Sequence, residues 1–208
     1  IYDVCPGLRL DSLPERLVDA DTVMDPVWGP FKRMFSGHAT DDAIRIPAAS
    51  GGVLTALGRF LVDDGRIAFV HNARPSDEDK TFGTANIGGS AEDVSRGMGS
   101  VYGPAPVLAD IMTVLEKGEP FAFVGKPCDI SALRNLALFD DRVDKLVRYW
   151  LTPVCGGLVP PPQMNGFLAE RQLTRDDLAW FKYRGDGCPG EVEFESRDGT
   201  RFTANMYE

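Results

Sequence analysis

Two periodicities alternate along the chain and predict an α/β fold. Apolar residues recur at intervals of three and four from Val53 to Leu61, which predicts an amphipathic helix that ends near Asp64-Gly65. The segment from Ile67 to His71 follows it and predicts a strand. Because helix and strand alternate again further along, we expect a mixed sheet flanked by helices, with a C-terminal β-hairpin.

The rest of the chain predicts a long polar loop, followed by further helices and strands. Ser90-Ala91-Glu92-Asp93 resembles a capping box and predicts a short helix that stops at Gly97 or Gly99. Residues 72–89 are rich in Gly, Asn and Asp, which predicts a long loop of the kind that closes over a ligand. Further helices are predicted near 107–117, 128–138 and 163–172, strands at 121–124, 146–154 and 178–183, and a hairpin at 192–203.

The stretch before the first of these helices is a candidate anion site. It places Asp41, Asp42 and Arg45 ahead of a small-residue loop, Ser50-Gly51-Gly52, which we call the Ser50 loop. Ser50 is predicted to be the N-cap, with the two glycines in the first turn, so that backbone N–H groups and the positive helix end favour a phosphate. The alternatives are a serine that only caps a helix and a surface ion pair that contributes little.

A second loop, Gly125-Lys126-Pro127-Cys128-Asp129, joins a predicted strand to the next helix. Ligands of open α/β sheets bind at the carboxyl ends of the strands, so this loop and the Ser50 loop are expected to line one crevice. Lys126 would then lie near an anion, and Cys128 would lie at a helix N-terminus, where the dipole favours a thiolate. A solvated lysine and an ordinary capped helix remain the alternative.

The cysteines are far apart in sequence but share one kind of surroundings. No C-x-x-C pair announces a zinc or ferredoxin site, yet each cysteine adjoins a Gly/Pro turn. Turn cysteines of a reducing compartment often face a cluster, a metal or a cofactor, whereas a free cysteine elsewhere is often a small buried apolar residue. Both interpretations stay open for Cys5, Cys128, Cys155 and Cys188.

Composition excludes several classes of function. A chain of 208 residues with 43% hydrophobic residues can bury a core, which predicts one domain. The net charge of −9 argues against non-specific nucleic-acid binding. No apolar run has the length of a membrane span and no signal peptide is recognisable, so we expect a cytoplasmic protein. Because the chain starts at Ile1 and stops just after the predicted hairpin, we expect an excerpt of a longer protein.

Taken together, the motifs resemble the coenzyme F-420 hydrogenase/dehydrogenase beta-subunit family, which includes relatives of 7-hydroxymethyl chlorophyll a reductase. The resemblance spans essentially the whole chain, and the order of the motifs is more specific than any one of them. It also implies that a ferredoxin-like N-terminal part and a cysteine-rich C-terminal segment lie outside this sequence. The motifs are Cys5-Pro6-Gly7, Ala39-Thr40-Asp41 to Arg45, Ser50 to Leu57, Gly99-Ser100-Val101-Tyr102, Gly125 to Asp129 with Ala132-Leu133-Arg134, Cys155-Gly156-Gly157, and Tyr183-Arg184-Gly185 to Cys188-Pro189-Gly190.

The resemblance implies a flavoprotein that binds FAD and one or more 4Fe-4S clusters. Such a protein moves electrons between a two-electron carrier, the deazaflavin coenzyme F-420 or a similar molecule, and a one-electron partner such as ferredoxin or a catalytic subunit, and it is expected to be oligomeric. Carried over residue by residue, the cofactor contacts are Ser50, Gly51, Gly52, Thr55, Gly99, Ser100, Tyr102 and Lys126, the catalytic candidates are Lys126, Arg45 and Asp41, and the cluster ligands are Cys128, Cys155 and Cys188.

Two other classes of function remain open from the sequence. One is a non-redox enzyme that binds a nucleotide or phosphate at the Ser50 loop, and the other is an interaction subunit that kept the fold without a cofactor. His38 and His71 are candidates for a proton shuttle, although a lone histidine is more often structural.

Overall fold

A computed structural model describes residues 2–10, 18–187 and 190–205, which form a mixed α/β fold. The strands are β1 (Val23–Asp25), β2 (Gly29–Phe31), β3 (Phe69–Pro75), β4 (Gly83–Gly88), β5 (Phe121–Val124), β6 (Val147–Leu151), β7 (Leu178–Lys182), β8 (Val192–Ser196) and β9 (Arg201–Ala204). The α-helices are α1 (Asp42–Arg45), α2 (Val53–Asp63), α3 (Ala91–Ser95), α4 (Ile111–Glu116), α5 (Pro127–Leu136), α6 (Arg142–Leu146) and α7 (Pro161–Ala169), and short 3-10 helices lie at Ala49–Gly52 and Arg175–Asp177.

The central sheet has the strand order β4-β3-β5-β6. Strands β3, β5 and β6 run parallel, and β4 pairs antiparallel with β3. The predicted mixed sheet is therefore confirmed. Because β5 and β6 are parallel neighbours, the loops that follow them leave the sheet at the same edge, and these loops carry Lys126, Cys128 and Cys155.

Helices cover both faces of this sheet, because side chains alternate along each strand. Phe121 and Phe123 of β5 face a core shared with α4, α5 and α6, whereas Ala122 between them packs with Leu61 of α2 and Val94 of α3. All three β5 residues are fully buried. Burial of these apolar side chains on opposite faces holds the two helical layers to one strand.

A second sheet, β7-β8-β9, is antiparallel throughout. Its aromatic side chains stack in series, with ring centroids 5.5 Å apart for Phe181 and Phe194 and 4.8 Å apart for Phe194 and Phe202. Helix α7 completes this core through Met164 and Leu168. The predicted hairpin is the β8–β9 pair.

The long polar loop predicted at 72–89 is wrong. Strand β3 continues to Pro75 and forms a hairpin with β4, so that only residues 76–82 connect the two strands. Asn72 and Asn86 are both buried, and the Asn86 side-chain amide donates to Asn72 Oδ1 at 2.8 Å. Polar composition indicated solvent exposure here, but the two amides satisfy each other inside the fold.

Most other boundaries lie within a few residues of the prediction. The predicted strand at 121–124 coincides with β5, and the Ser90 cap is confirmed because its side chain accepts the Asp93 N–H at 3.2 Å. The helix predicted at 107–117 is shorter, since α4 begins only at Ile111. No helix within the described ranges is long and apolar enough to cross a membrane.

His71 lies in the core between the rings of Phe121 and Phe123, whose centroids are 6.5 and 5.7 Å from its own. Its Nε2 is 2.7 Å from the Val107 carbonyl oxygen, and its side chain is fully buried. Burial lowers the pKa of His71, because a charged imidazolium loses its hydration there. This position agrees with the structural alternative rather than with a proton shuttle.

The depressed pKa of His71 predicts a stability that falls in mild acid. The unfolded chain takes up the proton below its ordinary value of 6.5 while the folded protein resists it, so the free energy of unfolding decreases as the pH drops below that value. Urea unfolding at about pH 7.5 and about pH 5.5 measures the difference. We expect His71→Gln to flatten this dependence and His38→Gln, which changes the exposed histidine, to preserve it.

Candidate functional site

The Ser50 loop reverses the chain between α1 and α2 through three consecutive left-handed residues. The φ angles of Ser50, Gly51 and Gly52 are 52°, 76° and 73°. Helix α2 begins at Val53 with Gly52 as its N-cap, and no side chain caps it. The prediction of Ser50 as N-cap is therefore wrong, because the left-handed glycines insert a further turn between the serine and the helix.

Backbone contacts on both sides explain why the loop contains glycine. A Cβ at Gly52 would lie 2.9 Å from Ile44 Cγ2, and a Cβ at Gly51 would lie 3.1 Å from His38 Cβ. The Ala39 N–H also donates to the Gly51 carbonyl oxygen at 2.7 Å. The loop is thus held between the segment before α1 and α1 itself, so it is a rigid wall rather than an open coil.

A pocket of about 290 Å³ opens on this loop. Its second wall comes from the other end of the chain, where the Gly187 N–H donates to the Ile46 carbonyl oxygen at 3.0 Å. We call it the Ser50 pocket. It is lined by Arg45, Ile46, Ala48, Ser50, Gly51 and Gly187.

Gly187 belongs to a turn closed at its base by two glycines. The Gly185 N–H donates to the Glu191 carbonyl oxygen at 2.5 Å, and a Cβ at Gly185 would collide with the Glu193 carboxylate. A Cβ at Gly190 would collide with the Gly185 carbonyl oxygen. Only glycine allows this close approach. We call the described residues 185–187 the Gly187 turn; Cys188, a predicted cluster ligand, lies outside the described residues.

The two ends of the predicted cofactor-contact motif, Gly99-Ser100-Val101-Tyr102, lie in different surroundings. Met98 packs with Ala48, and Gly99, with a φ of 100°, approaches the Pro47 carbonyl oxygen, so this end of the loop lies beside the Ser50 loop. Tyr102 instead packs against the ring of Tyr183 at 5.5 Å, on the side of the second sheet. Among the other predicted contacts, Ser100 and Thr55 are half-buried, and Thr55 lies in the first turn of α2.

The charged residues ahead of the Ser50 loop, Asp41 and Arg45, have different roles in α1. The Asp41 side chain accepts the Ala43 N–H at 2.9 Å, which makes it the N-cap of α1. Arg45 Nη2 lies 2.8 Å from Asp42 Oδ1, and the Arg45 side chain is 42% exposed at the rim of the Ser50 pocket. An exposed pair of this kind stabilises the fold by about 0–1 kcal/mol, so the guanidinium can reorient towards an anion at little cost.

Lys126 has a partner of its own. Its Nζ lies 2.7 Å from Asp129 Oδ2, and the same oxygen accepts the Lys126 backbone N–H at 3.1 Å. The Asp129 side chain is 16% exposed, so this ion pair is more shielded from solvent than that of Arg45. Asp129 therefore compensates the Lys126 charge and caps α5, and Lys126 does not line the Ser50 pocket among the described residues.

The described cysteines do not form a metal centre by themselves. Cys128 and Cys155 are exposed free thiols that follow the neighbouring strands β5 and β6. The Cys5 turn is docked on α5 instead, where the Asn135 side-chain amide donates to the carbonyl oxygens of Val4 and Arg9 at 3.2 Å. In the part of the chain that the structure describes, no three His, Cys, Asp or Glu side chains converge to hold a metal ion.

Sequence analysis did not identify Gly187 or Ile46 as parts of the pocket. The available signal was the Gly-rich motif around Cys188, which was interpreted only through its cysteine. The glycines at 185, 187 and 190 were the more informative residues, because they shape the turn that reaches the Ser50 loop.

The fold and the Ser50 pocket define an α/β protein with a helix-terminal site suited to an anion, and two family models identify the family. The model of the coenzyme F420 hydrogenase/dehydrogenase beta subunit N-terminal part matches residues 34–111, and that of its C-terminal part matches residues 118–207. The chain therefore belongs to the coenzyme F420 hydrogenase/dehydrogenase beta-subunit family. The predicted resemblance is confirmed.

Two similar proteins extend this comparison. The F420-dependent formate dehydrogenase 1 subunit beta of Methanococcus maripaludis is 31% identical over 133 residues, which cover 62% of this chain and 33% of that protein. A chain of the F420-reducing NiFe hydrogenase complex from Methanosarcina barkeri has the same fold, with a TM-score of 0.62 and 17% identity over 82% of this chain and 59% of that one. The match to the formate dehydrogenase subunit thus spans about a third of that protein's length.

The packing of the Ser50 loop predicts that two glycine substitutions, one just before α2 and one just after it, lower the free energy of unfolding by different amounts. Gly65→Ala should destabilise the protein by about 1–2 kcal/mol, because its left-handed φ is unfavourable for alanine but the surroundings are open. Gly52→Ala should cost about 1–3 kcal/mol more, since its Cβ also presses on Ile44. Urea unfolding of the two variants measures the difference. Equal costs would mean that the loop yields and is not a rigid wall.

Proposed function

We propose that this chain is the cofactor-binding part of an electron-transferring oxidoreductase subunit and that it binds the pyrophosphate of FAD in the Ser50 pocket. The observation that carries the proposal is the meeting of the Ser50 loop, which leads into α2, and the Gly187 turn around one pocket, with Arg45 in its lining.

The chemistry of the pocket suits a diphosphate. The Arg45 guanidinium and the Ser50 hydroxyl in the pocket lining are donors that favour anionic oxygens. The left-handed glycines present backbone without side chains, so phosphate oxygens can approach closely. A volume of about 290 Å³ is at the lower end for ligand sites, so the pocket would hold the diphosphate portion of FAD rather than the whole cofactor.

When bound, a flavin supplies the step between two-electron and one-electron transfer. Ser50, Gly51 and Arg45 of this chain would hold its phosphates, since all three line the pocket. Lys126 is a weaker candidate for tuning the flavin than its charge alone suggests, because Asp129 neutralises it.

The two-electron carrier in this proposal is coenzyme F420, and the electron partner is a further subunit or a ferredoxin-like protein. Support comes from the family and from the two relatives, which are named as an F420-dependent subunit and an F420-reducing complex.

An iron-sulfur cluster is not assigned a step here. Among the described residues no three candidate ligands form a metal site, and Cys188 lies outside the described residues. The ligand set Cys128, Cys155 and Cys188 therefore stays a prediction, supported by the shared sheet edge of the first two.

Flavin affinity tests the assigned pocket with two matched arginines, Arg45 at the end of α1 and Arg66 just after α2. Arg45 and Arg66 are both exposed and both paired with an aspartate, but only Arg45 lines the Ser50 pocket. We expect Arg45→Gln to raise the Kd for FAD about tenfold, the loss of one charge-assisted hydrogen bond, and Arg66→Gln to leave it unchanged. Quenching of flavin fluorescence in a titration measures both.

Other ligands separate the remaining classes of function. Equal Kd values for the two variants would place FAD elsewhere. If inorganic pyrophosphate or ADP binds in an Arg45-dependent way and FAD does not, the pocket belongs to a non-redox phosphate-binding protein. If none of the three binds, the chain is an interaction subunit without this cofactor.

Iron content tests the predicted cluster ligands in the anaerobically purified full-length protein. Cys128→Ser, Cys155→Ser and Cys188→Ser should each remove a similar large fraction of the iron, because a cluster that lacks one thiolate is labile. We expect Cys5→Ser to retain it, since the Cys5 turn contacts Asn135, about 10 Å along α5 from Cys128. Retention of iron by Cys128→Ser or Cys155→Ser would remove that residue from the ligand set.

A further inference from the structure

Tyr183 joins the second sheet to the rest of the molecule. It follows β7, is 5% exposed, and donates its hydroxyl to the Thr81 carbonyl oxygen at 2.7 Å. Gly103 covers this hydrogen bond: a Cβ there would collide with the Thr81 carbonyl oxygen and lie 2.7 Å from Tyr183 Oη. Burial raises the pKa of Tyr183, so the hydroxyl stays protonated and continues to donate at neutral and mildly alkaline pH.

A second contact holds the same β3–β4 connection. Arg175 Nη1 lies 2.6 Å from Asp79 Oδ2, and the Arg175 guanidinium lies 5.2 Å from the centroid of the Phe82 ring. Both side chains of the ion pair are about two-thirds or more buried, which strengthens it relative to a fully exposed pair. Residues 79–82 are thus held by Arg175, in the 3-10 helix that precedes β7, and by Tyr183, which follows β7.

The position of Tyr183 determines where the Gly187 turn begins. Only Arg184 separates it from Gly185, whose hydrogen bond to Glu191 closes the base of that turn. A turn closed in this way moves as a unit with the end of β7. Its tip in turn donates the Gly187 N–H to Ile46 at the wall of the Ser50 pocket.

We propose that Tyr183 is a positioning residue for the Ser50 pocket: its hydroxyl, bonded to Thr81, fixes the end of β7 and so holds the Gly187 turn on the Ser50 loop. The inference rests on the proposed function only in taking this pocket as the cofactor site. The coupling between the Tyr183 hydroxyl and the Gly187 amide does not require a bound ligand.

Amide hydrogen exchange in the ligand-free protein tests the link with two tyrosine variants. Tyr183→Phe keeps the ring packing against Tyr102 and Phe181 but removes the donor. Tyr102→Phe changes the other ring of the same contact and leaves the Tyr183–Thr81 bond intact. We expect the Gly187 amide to accelerate about tenfold more than the β5 amides, which report global unfolding, in Tyr183→Phe, and no more than the β5 amides in Tyr102→Phe.

The exchange rates at Gly187 and in β5, together with the Kd for FAD, distinguish a positioning role of Tyr183 from general destabilisation and from failure of the proposed function. Unchanged Gly187 exchange in Tyr183→Phe, or equal acceleration at Gly187 and in β5, overturns the proposal. Faster Gly187 exchange with an unchanged Kd for FAD supports the positioning role and contradicts the assignment of the pocket to FAD. Asp79→Asn weakens the same connection without touching the second sheet's core, and it should accelerate Gly187 in the same direction if Tyr183→Phe does not fold.

Discussion

The candidate site depends on backbone segments that approach one another more closely than side chains permit. Gly52 lies against Ile44, Gly185 against Glu193, and Gly103 against the Thr81 carbonyl group. A Cβ would press on a neighbour in each case, and the clash is most severe at Gly103, where the neighbour is a backbone carbonyl group that cannot swing aside. The site is therefore specified less by reactive side chains than by the absence of side chains at a few positions.

Hydrogen-bonded polar groups hold these segments in place. The Tyr183 hydroxyl and the Arg175–Asp79 pair attach the second sheet to the β3–β4 connection, and the Asn72–Asn86 amide pair supports that hairpin from inside. Buried groups of this kind add modest net stability when satisfied but cost much more when one partner is lost. They therefore select one arrangement of the two sheets, and the pocket between the Ser50 loop and the Gly187 turn follows from that arrangement.

Two regions of the molecule thus carry different candidate chemistry. The Ser50 pocket presents backbone donors and Arg45 to an anion, whereas the edge formed by the ends of β5 and β6 presents Cys128 and Cys155 beside the Lys126–Asp129 pair. A flavin anchored at the first region and an electron exit at the second would suit a protein of the F420 hydrogenase/dehydrogenase beta-subunit family. This division also explains why Lys126 and Arg45, which the sequence suggested for one site, have different partners in the fold.

The sequence by itself determined the features that depend on near neighbours in the chain. The amphipathic pattern of α2, the apolar run of β5, the Ser90 cap and the Asp198-Gly199 hairpin are all local, and the ordered motifs were enough to identify the family. Tertiary structure decided the rest, because long-range contacts have no periodicity. Asn72 is buried only because Asn86 faces it, and Gly187 becomes part of a site only because β7 delivers it to Ile46, far away in sequence.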